Sequence, residues 1–121
     1  MNREGLKKMK LVSERDQKTV ISACYVAESL WTRTLGLMGE KSLDMQEGLL
    51  ILRSNSIHTF FMKFAIDVVF LDASGKVVGI HPNVKPWKLD WPVFRARNVL
   101  ELAGGAAQKL RIQKGDRLCL S

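Results

Sequence analysis

Of 121 residues only two are cysteine, two histidine, three proline and one tyrosine. Each scarcity removes a class of explanation. Two cysteines cannot staple a small domain into a disulfide framework, nor fill a four-ligand structural zinc site. Two histidines without spaced acids are a weak metal signal, so neither a metal nor a cofactor is expected. No apolar run approaches the roughly 18 residues that a membrane-spanning helix needs, which excludes a membrane role of that kind. A phosphate loop, internal repeats and low-complexity tracts are also missing. Residues 1–18 carry six Lys or Arg against three acids, with no apolar core behind them. That is not the pattern of a secretory signal peptide, so the expected location is the cytoplasm. There Cys24 and Cys119, each in a short apolar stretch, would be free thiols. A disulfide stays open only if their strands are neighbours with suitable Cα spacing.

What is present is ordinary for a globular protein: 46% hydrophobic and 26% charged residues. A chain of this length forms one domain and buries roughly two-thirds of its unfolded surface. The net charge of +7 is uneven: residues 1–18 contribute +3, residues 76–121 contribute +6 and residues 19–75 contribute −2. A basic second half could attract nucleic acid or an acidic partner, but net charge carries no specificity, and a solvated surface explains it as well.

Along the chain, residues 1–18 read as a flexible basic tail and residues 19–121 as a single compact β-rich domain. Residues 19–27 are rich in β-formers and read as the first strand. Ser29 offers an N-cap to a short helix over residues 30–37, with Gly36 and Gly39 at its end. A buried strand follows near residues 49–52. Residues 67–71 and 76–80 form a hairpin, with Asp72 as the capping oxygen of the turn and Gly75 where positive φ is needed. The section over residues 82–97, broken by Pro82, Pro86 and Pro92, resists assignment. A strand at residues 98–102, a Gly104-Gly105 turn, a helix at residues 106–110 and a last strand at residues 117–120 complete the reading. The fold class is α+β: mainly antiparallel β, a small barrel-like sheet with two short helices.

An ordered series of motifs runs through this domain. It comprises Leu35-Gly36-Leu37-Met38-Gly39, Glu47-Gly48-Leu49, His58-Thr59-Phe60-Phe61-Met62 and Asp67-Val68-Val69-Phe70-Leu71-Asp72. Pro86-Trp87, Val99-Leu100-Glu101-Leu102, Gly104 and Gly115-Asp116-Arg117 follow. The series resembles domain-of-unknown-function family 192, a prokaryotic family, over nearly all of residues 19–121. The resemblance implies a small β-rich domain with minor helices and no established activity. Family members often place a basic residue directly after Gly-Leu-Met, where this chain has Gly39-Glu40 before Lys41.

Three polar residues in apolar strands are the candidates for chemistry. His58 could form an acid–base pair with Asp67, or it could fix a strand end by hydrogen bonding, and the second role is commoner. Asp67 could be a buried acid with a raised pKa, or it could accept backbone N–H groups or pair with Lys63 or Arg53. Glu101 alternates with Leu100 and Leu102, so it either faces water or joins His58 in a pocket. His81, beside Pro82, is not counted as a second ligand. Gly104-Gly105 before a helix could offer N–H groups to an anion, although it lacks the spacing of a phosphate loop.

A second candidate is the basic aromatic section: Lys85, Trp87, Lys88, Trp91, Arg95 and Arg97, with Phe94 among them. Rings among cations suit a protein partner's hot spot or a stack of unpaired bases, whereas rings that merely cover the barrel would do neither. The reading adopted is a non-enzymatic binding or accessory domain that contacts an unknown protein partner or small ligand through this Trp-containing loop. The alternatives are a ligand-binding or hydrolytic pocket built on His58, Asp67 and Glu101, and a nucleic-acid binder using the basic second half.

Overall fold

A computed structural model describes residues 5–90 and 92–121. In chain order the elements are β1 (Lys7–Ser13), β2 (Thr19–Ala27), α1 (Leu30–Leu35), β3 (Glu47–Ile51), β4 (Ile57–His58) and β5 (Ile66–Leu71). They continue with β6 (Val77–Val84), β7 (Leu89–Asp90), β8 (Asn98–Ala103), α2 (Ala106–Lys109) and β9 (Leu118–Leu120). Seven strands make one sheet in the order β6-β5-β8-β3-β2-β1-β9, while β4 and β7 form a separate two-stranded ribbon. All neighbours run antiparallel except β2 and β3.

The sheet curls until its edges touch. Lys76 bridges Arg117, Val77 N–H donates to the Asp116 carbonyl at 2.7 Å, and Leu118 N–H donates to the Gly75 carbonyl at 2.9 Å. The tip of the β5–β6 hairpin therefore docks on β9, giving the barrel-like shape that the strand pattern predicts. Asp72 sets that tip by accepting Ser74 N–H, Ser74 Oγ–H and Lys76 N–H at 2.7–2.9 Å. The Ser74 hydroxyl bond, then the Lys76 N–H bond, holds its carboxyl below the usual range. Gly75 sits at φ +85°, where an added Cβ would lie 2.4 Å from the Leu118 oxygen, so only glycine fits the seam.

The central strands explain the core. Every residue of β5 is buried, as are all but the first of β3 and β8. A strand covered on both faces reads as a continuous apolar run rather than an alternation. Phe70, Leu49, Leu100, Val68 and Val99 pack there, fully enclosed. Cys24 is buried among them, its thiol pushed up to about 12 by loss of solvent, while Cys119 is exposed; both are free.

Three expectations need correction. The flexible tail over residues 1–18 does not describe residues 7–13, which form β1 and pair with both β2 and β9. Its lysines, Lys7, Lys8 and Lys10, are exposed while Leu11 and Ser13 are buried, so a period-2 pattern lies beneath the charge. The unassigned section over residues 82–97 also has structure. β6 runs on through Pro82, which an edge strand tolerates, and β7 pairs with β4. The helix after Ser29 is shorter than its pattern suggests, because Gly36 turns out of helical dihedrals at φ +49° and ψ −129°.

Candidate functional site

Glu101 stands in the middle of β8, opposite Leu49 on β3 and Val68 on β5. Directly opposed residues share a face, so its side chain belongs to the face where those two are buried. It does not face water: only 2% of it is exposed. Its carboxyl lines a cavity of about 210 Å³ beneath α1, together with Arg33, His58, Leu37, Ile57 and Met62. Oε2 is buried with no hydrogen-bond partner, and so is Nε of Arg33 in the same wall. Burial pushes the Glu101 carboxyl up to about 8, so at neutral pH most of it carries a proton and acts as a donor.

His58 shares that cavity. Its Nδ1 accepts the Phe60 N–H at 3.2 Å, which leaves the proton of a neutral imidazole on Nε2. The ring also stacks on Phe60 with centroids 5.1 Å apart. Asp67 does not line the cavity. It sits opposite Leu102, one register position from the Val68–Glu101 pair, and so on the other face of the sheet. Its carboxylate accepts N–H groups from Asn83 at 2.8 Å, Gly105 at 3.1 Å and Ala107 at 2.9 Å. The anion that the Gly104-Gly105 turn could receive is thus a side chain of the same protein. Gly105 supplies no cap to α2, and Asp67 does so from 38 residues away in sequence.

Next to His58 lies an exposed aromatic ridge. Phe61 and Trp87 meet with ring centroids 4.7 Å apart, and Phe60 stands 6.1 Å from Trp87. Phe61 and Trp87 are 59% and 60% exposed, and each holds a left-handed backbone, at φ 63° and 65°. Bulky residues rarely adopt that region unless their surroundings fix them. Thr59, fully buried, does the fixing. Its carbonyl accepts Trp87 N–H at 2.9 Å, and its Oγ1 donates to the Lys85 carbonyl at 2.7 Å and accepts Lys88 N–H at 2.8 Å. Lys63, Lys85 and Lys88 are exposed around the ridge, and residues 59–64 and 84–89 contain no acid.

The basic section is therefore divided. Lys85, Trp87 and Lys88 belong to the ridge. Arg95 lies 5.6 Å over the ring of the exposed Phe94. Arg97 lines an open cleft of about 860 Å³ with Arg33, Arg53, Ser54 and Asn98, and no acid is in its wall. Trp91 lies outside the described residues. His81, half-buried on β6, sets its ring edge-on to Phe70 at 4.8 Å. Among the described residues no three His, Cys, Asp or Glu side chains converge as a metal centre would require. No helix among them is long and apolar enough to cross a membrane.

Sequence reasoning missed Arg33, Thr59, Phe60 and Phe61. The adjacent Phe60 and Phe61 carried no decisive signal, since adjacent residues such as Val69 and Phe70 are both buried in this fold. Thr59 carried none, because its partners are 26 and 29 residues away.

The family model DUF192, described as Uncharacterized ACR, matches residues 11–120. Among curated proteins, the chain is 36% identical over 96 residues to UPF0127 protein PH1112 of Pyrococcus horikoshii, covering 77% of this chain and 83% of that one. It is 35% identical over 95 residues to UPF0127 protein PF1050 of Pyrococcus furiosus, covering 76% and 81%. A crystal structure of a protein of unknown function from Novosphingobium aromaticivorans shares the fold. Its TM-score is 0.78 at 21% identity, with 94% of this chain and 84% of that one covered. With nearly the whole described domain matched by the family model, the chain belongs to the DUF192 family, a prokaryotic family of uncharacterised function.

Proposed function

We propose that the chain is a non-enzymatic binding domain that captures a protein segment on the ridge of Phe60, Phe61 and Trp87. The observation that carries the reading is the pair of exposed aromatic residues held in left-handed backbone by the buried Thr59. Leaving a large apolar side chain in water forgoes roughly 1.5–3 kcal/mol of burial, and a strained backbone adds about 1–3 kcal/mol more. Folding alone gains nothing from either cost, whereas a partner that covers the ridge recovers the first. The exposed Lys63, Lys85 and Lys88, in the same two segments as the ridge, suit a segment in which apolar side chains alternate with Asp or Glu. Arg95 and Arg97 lie in other surroundings and are left out of this surface. Two free thiols fit a reducing compartment, and the cytoplasm is the compartment we infer.

The test is panning of a random peptide library against the protein and against its Phe61→Ala/Trp87→Ala variant. Peptides rich in apolar and acidic residues should be enriched on the first and lost on the second. Equal enrichment on both would overturn the reading. So would tight, steeply salt-dependent binding of single-stranded oligonucleotides that needs Trp87, which would make the ridge a base-stacking surface.

A further inference from the structure

The cavity under α1 adjoins that ridge through the His58–Phe60 stack, but it has its own wall, which is not built like a filled core. Leu37, Ile57 and Met62 give it an apolar lining, yet the same wall holds Arg33 and Glu101, each with a buried polar atom that no protein group satisfies. The two do not satisfy each other, although opposite formal charges in one wall would ordinarily pair. A guanidinium is a donor only, and a protonated carboxyl keeps one O–H to donate. Both orphaned groups therefore call for an acceptor.

Arg33 also joins this cavity to a second one. Arg33 and Ser54 line both the 210 Å³ cavity and the open 860 Å³ cleft, where Arg53 and Arg97 add two further guanidiniums. Arg33 is held in place there, since its Nη2 donates to the Arg53 carbonyl while Arg53 Nη2 donates to the Glu28 carbonyl. A rigid guanidinium at the junction matches the planar, forked geometry of a carboxylate.

We infer that cavity and cleft form one binding site for a small organic acid, its carboxylate held by Arg33 and its carbonyl or hydroxyl oxygen held by Glu101. The inner cavity is smaller than a drug-sized pocket of roughly 300–1,000 Å³, so the ligand body is short. The apolar wall favours a branched aliphatic end. Glu101 serves as a neutral hydrogen-bond donor, in keeping with its raised pKa. His58 and Arg33 are the other ionisable side chains in that wall.

The experiment titrates isotope-labelled protein with ketoisovalerate, with isovalerate, which lacks the keto oxygen, with methyl isopropyl ketone, which lacks the carboxylate, and with inorganic phosphate. Ketoisovalerate should give saturable amide shifts at Gly36, Ser56 and Glu101. Removing either oxygen function should weaken binding roughly tenfold or more, as should Arg33→Met. Glu101→Gln keeps a donor and should bind within a few-fold, whereas Glu101→Leu should lose binding. No saturable shift at these residues, equal affinity for isovalerate and ketoisovalerate, or phosphate binding as tight as the keto acid would each overturn the inference. The ligand series on the unaltered protein decides the matter even if a variant fails to fold. Peptide capture on the ridge is read separately, so either proposal can fail without the other.

Discussion

Asp67 and Glu101 sit on adjacent strands of one sheet, 1% and 2% exposed, and they are in opposite situations. Asp67 receives three backbone N–H groups and ties β5 to β6 and to the start of α2. Glu101, on the other face, has a buried oxygen with no hydrogen-bond partner, in the same wall as an arginine with the same deficit. The difference teaches what a buried carboxyl is for. A carboxylate surrounded by fixed donors is a structural clamp, and its burial is compensated within the chain. A carboxyl buried without partners is held neutral instead, and its hydrogen-bonding capacity remains available to something else.

The comparison predicts the largest effect for Asp67→Ala. Three donors would lose their acceptor at about 1–3 kcal/mol each, so a loss of about 5 kcal/mol should appear as a shifted urea midpoint. A loss under about 1 kcal/mol would show that the clamp is incidental. Glu101 should behave the other way with pH. Its carboxyl is raised from 4.5 to about 8 in the fold, so the folded state holds a proton that the unfolded chain releases. Stability from this group is fully present below pH about 4.5, declines as pH rises, and is gone above about 8. At about 1.4 kcal/mol per unit the decline amounts to a few kcal/mol, and Glu101→Leu should flatten it. A wild-type profile with the same slope as the variant would remove the contrast.

Two smaller effects concern the ridge. Thr59→Val leaves the Lys85 carbonyl and Lys88 N–H without their side-chain partner and should cost about 1–3 kcal/mol. It should also reduce peptide capture although every aromatic ring remains. Trp87→Gly relieves a left-handed backbone and removes an exposed ring. Thermal denaturation should therefore show unchanged or raised stability, by at most about 1 kcal/mol, with capture abolished. A large loss of stability would mean that Trp87 is core, not contact surface.

Local chemistry was legible where cause and effect lie within a few residues. The Asp72–Gly75 turn, the Ser29 cap and strand β2 are where the residue pattern puts them. Features set by distant contacts were not. Glu101 alternates with two leucines, a pattern that water on one face and a cavity on one face produce equally. The donors to Asp67 come from up to 40 residues away, so the sequence offers the carboxylate without its partners. Three lysines in seven residues masked β1, whose place between β2 and β9 is visible only in the assembled sheet. The Trp-containing section was read as one basic surface, but the strand pairing of β4 with β7 and the bonds of Thr59 bring only part of it to Phe60 and Phe61.

The contrast between a clamp and a poised acid is tested most directly by the carbon NMR shift of the Glu101 side-chain carboxyl, followed from acid to alkaline pH. The account predicts a single titration with its midpoint near 8. A midpoint in the ordinary range near 4.5 would mean that the carboxylate is charged and solvated in the fold, and the neutral donor at the centre of the cavity would not exist.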